Sequence, residues 1–248
     1  MVILGLLLVI LVLPAMVIPK NMALGERPYK VVLEAFLAAA LGILFVFILT
    51  AASGSGLGEQ LAFTMKELVE MMVKEDAIIH NPAFAGKTVG EIQAQLTAIY
   101  TLMINSLPGT LLVIAAIISY FEYILIAKLG SKGPREVRKL PRFRSFSWPR
   151  QGIWGWLLIF VASWILSKDF EIGSLVLSNV NVLMEFYFVV QGAAVVFFFG
   201  HQKKWPGFIP PLVVVLLSTF AISRILLLML GITDLVLNLR NRMERHIV

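Results

Sequence analysis

The sequence predicts an all-α fold: a polytopic membrane helix bundle of about six transmembrane helices, with an amphipathic helical hairpin on the outer face. Three observations predict it. The 248 residues are 59% hydrophobic and 15% charged, with a mean hydropathy of +0.88. Soluble domains run about 45–50% apolar and about 25% charged, so a water-facing globule could not hide this much apolar side chain. The apolar residues also fall into continuous runs instead of alternating in period two, which argues against a barrel.

The runs are residues 3–18, 31–52, 107–127, 153–166, 180–199 and 208–230, the last continuing weakly to 239. A hydrocarbon core of roughly 30 Å needs about 20 helical residues. The first run is short and reads as stopped by Pro14 and Pro19. It has no basic flank before it and no A-x-A-like site after it, so it reads as a retained membrane helix and not a cleaved signal. Its entry directly at Met1 fits a chain that starts inside a longer protein. The whole of 1–248 reads as one membrane domain.

Orientation follows from Lys and Arg. The odd-to-even connections carry 13 of them, eight between Lys128 and Arg150, and the opposite side carries 7, including Arg240, Arg242 and Arg245 of the tail. The odd-to-even connections are therefore expected in the cytoplasm and both termini outside, in a bacterial cytoplasmic (inner) membrane. The three tail arginines oppose that assignment unless the sixth run turns back into an interfacial helix.

The long connection 53–106 is expected on the outer face. It opens with Ser53-Gly54-Ser55-Gly56-Leu57-Gly58, a hinge by composition. Residues 59–79 then read as an amphipathic helix with Leu61, Met65, Leu68, Met72 and Glu75 on one face. Asn81-Pro82 breaks it, and 89–104 form a second such stretch. This hairpin is either a loop lying on headgroups or a lid over a cavity.

Several chemistries are excluded or unsupported. There are no cysteines, hence no disulfides and no thiolate sites. Ala85-Gly86-Lys87-Thr88 resembles the end of a phosphate loop, but Asn81 stands where its first glycine belongs. His80, His201 and His246 lie in separate regions. No catalytic constellation, cofactor or metal is expected, and the charge of +6 reads as topology and lipid contact, not nucleic-acid binding.

Polar groups inside apolar runs carry the functional signal, because each is costly in hydrocarbon. Asn181 and Glu185, four residues apart, share a face of the fifth run, with Gln191 at its edge; the sixth run holds Arg224. Glu185 and Arg224 each lie about 9 Å from the same surface at 1.5 Å per residue. They are expected to pair and to face the bundle interior, as a helix pin or as the lining of a ligand pocket with Asn181 and Gln191. Glu34 and Glu122 are expected to snorkel beside Lys30 and Lys128. Ala35, Ala39 and Gly42 give one side of the second run a small-residue face for close helix docking, within the chain or against another membrane subunit.

The basic connection 128–152 interleaves cations and aromatics. Arg138, Lys139, Arg142, Phe143, Arg144, Trp148 and Arg150 are the residues expected to touch anionic headgroups, or a docking partner. Each cation near such a surface contributes about 1 kcal/mol. Pro141 and Pro149 favour an extended shape.

Leu140-Pro141-Arg142-Phe143 followed by Trp148-Pro149 resembles the YybS-like family of bacterial membrane proteins. The order of Ser178-Asn179-Val180-Asn181-Val182-Leu183, Val190-Gln191-Gly192, Lys203-Lys204, Leu230-Gly231-Ile232-Thr233-Asp234 and Leu239-Arg240-Asn241-Arg242 follows the same family. The resemblance covers roughly 105–248 by motif and 1–104 by hydropathy. Through the family it extends to the S components of energy-coupling-factor transporters and to the MreD-type scaffold of cell-shape machinery. The first likeness implies a solute-binding subunit beneath an outer lid, energised by a separate ATPase partner. The second implies a scaffold recruiting partners through its basic cytoplasmic loop.

Overall fold

The computed structural model describes residues 2–54, 56–74, 84, 86–130 and 138–245. Among them the regular structure is helical: α1 (Val2–Ala23), α2 (Pro28–Ala52), α3 (Leu57–Lys74), α4 (Val89–Asn105), α5 (Leu107–Gly130), α6 (Gln151–Asp169), α7 (Glu171–Gln202), α8 (Ile209–Thr219), α9 (Ala221–Leu237) and α10 (Leu239–Arg245). Glu75, the Asn81-Pro82 break and the loop cations Lys132 and Arg135 lie outside the described residues.

Among the described residues, four helices are long and apolar enough to cross a membrane: α1, α2, α5 and α7. They become five if α8 and α9 count as one span, although these two are bent by 119° at their junction. The expected polytopic helical bundle is thus present, with four to five candidate spans beside the about six expected. The α6 helix is not among the four; its three tryptophans, two glycines and terminal Gln151 and Lys168 dilute its apolar character. The sixth run breaks at Phe220, whose backbone is extended at φ −99 and ψ 135. The Ser223 hydroxyl donates to the carbonyls of Leu217 and Phe220 at the break, satisfying groups the helix ladder leaves open.

Two compact units make up the chain, Met1–Arg138 and Lys139–Val248. In the first, α1 and α2 pack along each other and both pack on α5. α1 runs through Pro14 and Pro19 to Ala23, so the expected stop at the prolines is corrected. A helix end inside hydrocarbon would expose several unpaired backbone groups, whereas each proline removes only one donor. Leu6, Ile10, Ala39, Ile43 and Ala115 form the centre of this packing. Large side chains on the outer faces, such as Leu4, Leu8, Leu41 and Phe45, are exposed and suited to lipid. α3 and α4 form the expected hairpin, its core being Val69, Ile92 and Leu96 with Met72 and Tyr100 packed against them. Val69, not the expected Leu68, is the buried member of the α3 stripe, and Leu68 is exposed. The inward path is therefore 61, 65, 69, 72, with Val69 buried and the other three half-buried. The Thr88–Glu91 capping box fixes where α4 starts.

In the second unit, α7 is the organising element, with α6, α8 and α9 packed on it. α7 and α9 touch backbone to backbone. A Cβ added to Gly192 would lie 2.0 Å from the Leu227 carbonyl oxygen, and one added to Gly231 would lie 2.0 Å from that of Phe188. Tyr187, Phe188 and Leu235 fill the adjoining core, with Trp148, Trp156 and Met184 packed against them.

Candidate functional site

The polar residues of the second unit separate into two clusters. The first is the expected pair. Glu185 Oε1 lies 2.6 Å from Arg224 Nε, joining α7 to α9. The side chains remain 38% and 47% exposed within the chain, so the expected pair forms but is only half-buried. The break at Phe220 explains this. It starts α9 only three residues before Arg224, at the edge of the α7–α9 contact and not within it. Asn181 is exposed, and Gln191 belongs to the other cluster. The four residues expected to line one ligand pocket are therefore not gathered as a set.

The second cluster is buried and centred on Asp234 of α9, a residue with no expected role. Asp234 accepts from Gln191 Nε2 at 2.6 Å and from Arg240 Nε at 3.0 Å. It also forms an ion pair with Arg240 Nη2 at 2.8 Å and receives the Arg240 backbone N–H at 3.3 Å. Arg240 reaches it because Asn238 adopts the left-handed conformation, φ 55 and ψ 49, and its N–H bonds the Asp234 carbonyl at 2.8 Å. Asparagine tolerates that conformation and ends helices with it. α10 then leads back beneath the end of α9.

Arg240 also holds the basic connection. Its Nη1 donates to the carbonyls of Arg144 at 3.1 Å and Phe146 at 2.7 Å. Gln191 Oε1 accepts the Trp148 backbone N–H at 3.0 Å, and its Nε2 also reaches the Ser147 hydroxyl at 3.4 Å. The Trp148 indole N–H donates to the Tyr187 carbonyl at 3.0 Å, while its ring stacks on Tyr187 with centroids 4.7 Å apart. Tyr187 returns a hydrogen bond from its hydroxyl to the Pro149 carbonyl at 3.2 Å. Phe143 meets Phe197 edge to face at 5.2 Å. Residues 139–150 thus form a strap along α7, extended at Arg142 and Phe146 with one 3₁₀ turn between them.

This placement changes the reading of the strap. Phe143 and Trp148 are packed on Phe197 and Tyr187 of α7 and are half-buried. Lys139, Arg142 and Arg150 are exposed, as is Arg138 at the end of the first unit, whose carbonyl accepts the Tyr123 hydroxyl at 2.6 Å. Arg144 is half-buried. Arg240 of the tail also lies against the strap, bonded to the Arg144 and Phe146 carbonyls. Of the two expectations for the tail, the structure favours a sixth run that turns back, in preference to a tail on the side opposite the basic loop.

In the first unit, the small-residue face is used internally. Ala35 and Ala39 are fully buried, and a Cβ on Gly42 would come within 2.4 Å of Val9 Cγ1 and 2.6 Å of Leu13 Cδ1. Of the two alternatives for this face, the structure shows packing within the chain. Glu34 accepts from the Asn21 amide and lies 3.8 Å from Lys30. Glu122 does not snorkel freely: its Oε2 is buried and lacks a hydrogen-bond partner among the described residues. No group of three or more His, Cys, Asp or Glu placed to hold a metal occurs among the described residues.

The family described as "Predicted membrane protein (DUF2232)" matches residues 1–235. A curated relative, "Uncharacterized protein YybS" of Bacillus subtilis (strain 168), is 23% identical over 138 residues, 55% of this chain. The aligned part covers 44% of that relative, so the chain matches less than half of its length. No solved structure matches.

Proposed function

The chain belongs to this DUF2232 family of predicted membrane proteins, and on that premise we propose that it is an integral membrane scaffold. Its strap, residues 139–150, presents a basic face to an acidic partner protein at the cytoplasmic surface of a bacterial inner membrane. One observation carries the reading. The strap's backbone is fixed by Gln191, Arg240 and Trp148 while Lys139, Arg142 and Arg150 stay exposed. A fixed row of cations loses less entropy on binding than a mobile loop does. Placement of a photo-reactive amino acid at Arg142, in membranes of cells making the full chain, tests it. The proposal expects a discrete protein adduct that is lost in a Lys139→Gln, Arg142→Gln, Arg150→Gln background with the probe moved to Ser145. Adducts with phospholipid alone overturn it.

A second reading, a solute-binding transport subunit with a separate ATPase partner, is favoured by the half-exposed Glu185–Arg224 pair. Charged groups at that depth call for a polar counterpart. Under this reading, small zwitterionic or anionic solutes raise the melting temperature of the purified chain but not that of Glu185→Gln, Arg224→Gln.

A further inference from the structure

We infer that Arg240 is a positioning residue: from the C-terminal helix, and held by Asp234, it sets the strap on α7. The inference rests on the reading of the strap as the docking element. The strap has little structure of its own. Its internal backbone bonds are Ser145 N–H to the Arg142 carbonyl and Phe146 N–H to the Phe143 carbonyl. Pro141 and Pro149 have no N–H to contribute. What holds it comes from α7 and from Arg240.

The Arg240 fork divides its donors between two tasks. Nε and Nη2 face Asp234, and Nη1 spans the carbonyls of Arg144 and Phe146. A lysine is a point charge on a flexible stem and cannot serve both sides at once. Asp234 neutralises the guanidinium where both are nearly sealed, at 10% and 3% side-chain exposure. Gln191 completes the alignment by bonding Asp234 with one end and the strap's Trp148 N–H with the other. The support is mutual. α10 has seven residues, too few to persist alone, and Arg240 ties it to Asp234 and to the strap.

The absence of native cysteine makes a direct test possible. A nitroxide on Ser145→Cys, an exposed strap position, reports strap motion in the full chain reconstituted in nanodiscs. The parent and an Arg242→Gln control on the same helix should give an immobilised spectrum. Arg240→Lys, Arg240→Gln and Asp234→Asn should give a predominantly mobile one. Trypsin should cut after Arg142 and Arg144 at least tenfold faster in these variants, with helix content unchanged. Arg240→Lys keeps a cation for Asp234, so a role confined to neutralising that carboxylate leaves the strap immobile in this variant. An immobile, trypsin-resistant strap in Arg240→Lys, whatever Arg240→Gln shows, overturns the inference, as does mobility seen only in samples that have lost helix. Label mobility decides the positioning role, and the adduct at residue 142 of the parent decides the docking reading, so either fails without the other.

Discussion

Asp234 and Arg240 meet at 2.8 Å, six residues apart, across a left-handed turn that folds the end of the chain back against α9. That contact joins four pieces of sequence: α7 through Gln191, α9 through Asp234, the tail through Arg240, and the strap through its carbonyls. Breaking such a pair from one side leaves a buried charge without its partner, which typically costs about 3–5 kcal/mol. Arg240→Ala should therefore lower unfolding stability by several kcal/mol in chemical denaturation. Asp234→Asn, Arg240→Gln together should recover part of that loss, because no lone charge remains. A parent-like midpoint for Arg240→Ala would show the pair to be dispensable.

The α7–α9 crossing makes a second prediction. Gly192→Ala and Gly231→Ala each place a methyl within 2.0 Å of a carbonyl oxygen on the facing helix. Neither neighbour is a flexible side chain, so the helices must separate. Each variant should lose at least about 2 kcal/mol, in the range of overpacked cores. Gly155→Ala on α6 meets nothing within 4 Å and should be neutral or stabilising by up to about 1 kcal/mol, as helix propensity dictates. Thermal melts of the three proteins in one detergent compare them directly.

For Glu185 and Arg224, solvent exposure makes a large contribution in water implausible, but the bilayer changes the reference. A lone charge on a membrane helix costs about 2.5–3.5 kcal/mol by insertion scales. Glu185→Gln and Arg224→Gln should each destabilise the chain more in nanodiscs than in a hydrated detergent micelle. The exchange Glu185→Arg, Arg224→Glu should restore most of the loss. Equal melting temperatures for all four proteins in nanodiscs would remove any role for the pair.

The α3–α4 hairpin should loosen at low pH. The Glu91 carboxylate accepts the Thr88 backbone N–H at 2.7 Å and the Thr88 hydroxyl at 2.9 Å, and these bonds hold its pKa below the ordinary 4.5. A depressed carboxyl pKa contributes stability that is complete above the unfolded value and is lost as pH falls through the folded one. Amide exchange at the start of α4, corrected for intrinsic rate, should therefore accelerate below about pH 4.5. In Glu91→Gln this pH dependence should vanish.

The sequence made much of this architecture legible, and the reasons are specific. Continuous apolar runs locate α1, α2, α5 and α7 because a bilayer demands length, and length is countable. The Gly-rich stretch 53–58 marks the approach to α3, and the second amphipathic stretch locates α4. The Glu185–Arg224 pairing was readable because each is an isolated charge in an apolar run. The bend at Phe220 was not, since averaging hydropathy over 208–230 carries no information about direction and neither glycine nor proline marks the turn. Asp234 and Arg240 sit just past that run, where charges look like an ordinary helix end. Asn238 between them was the available signal, being a residue that tolerates left-handed backbone. The motifs that carry the family resemblance, 140–143, 148–149, 190–192, 230–234 and 239–242, supply Trp148, Gln191, Asp234 and Arg240. Their convergence on one buried centre needed three-dimensional contacts to be seen.

The most direct measurement is sidedness. Single cysteines at Ser145 in the strap and Asn241 in the tail, each in the full cysteine-free chain, can be reacted with a membrane-impermeant maleimide in intact cells and in inverted vesicles. Strap and tail bonded through Arg240 must share one face, so both positions should label in the same preparation, the inverted vesicles. Labelling of Asn241→Cys in intact cells while Ser145→Cys labels only after inversion would contradict the account.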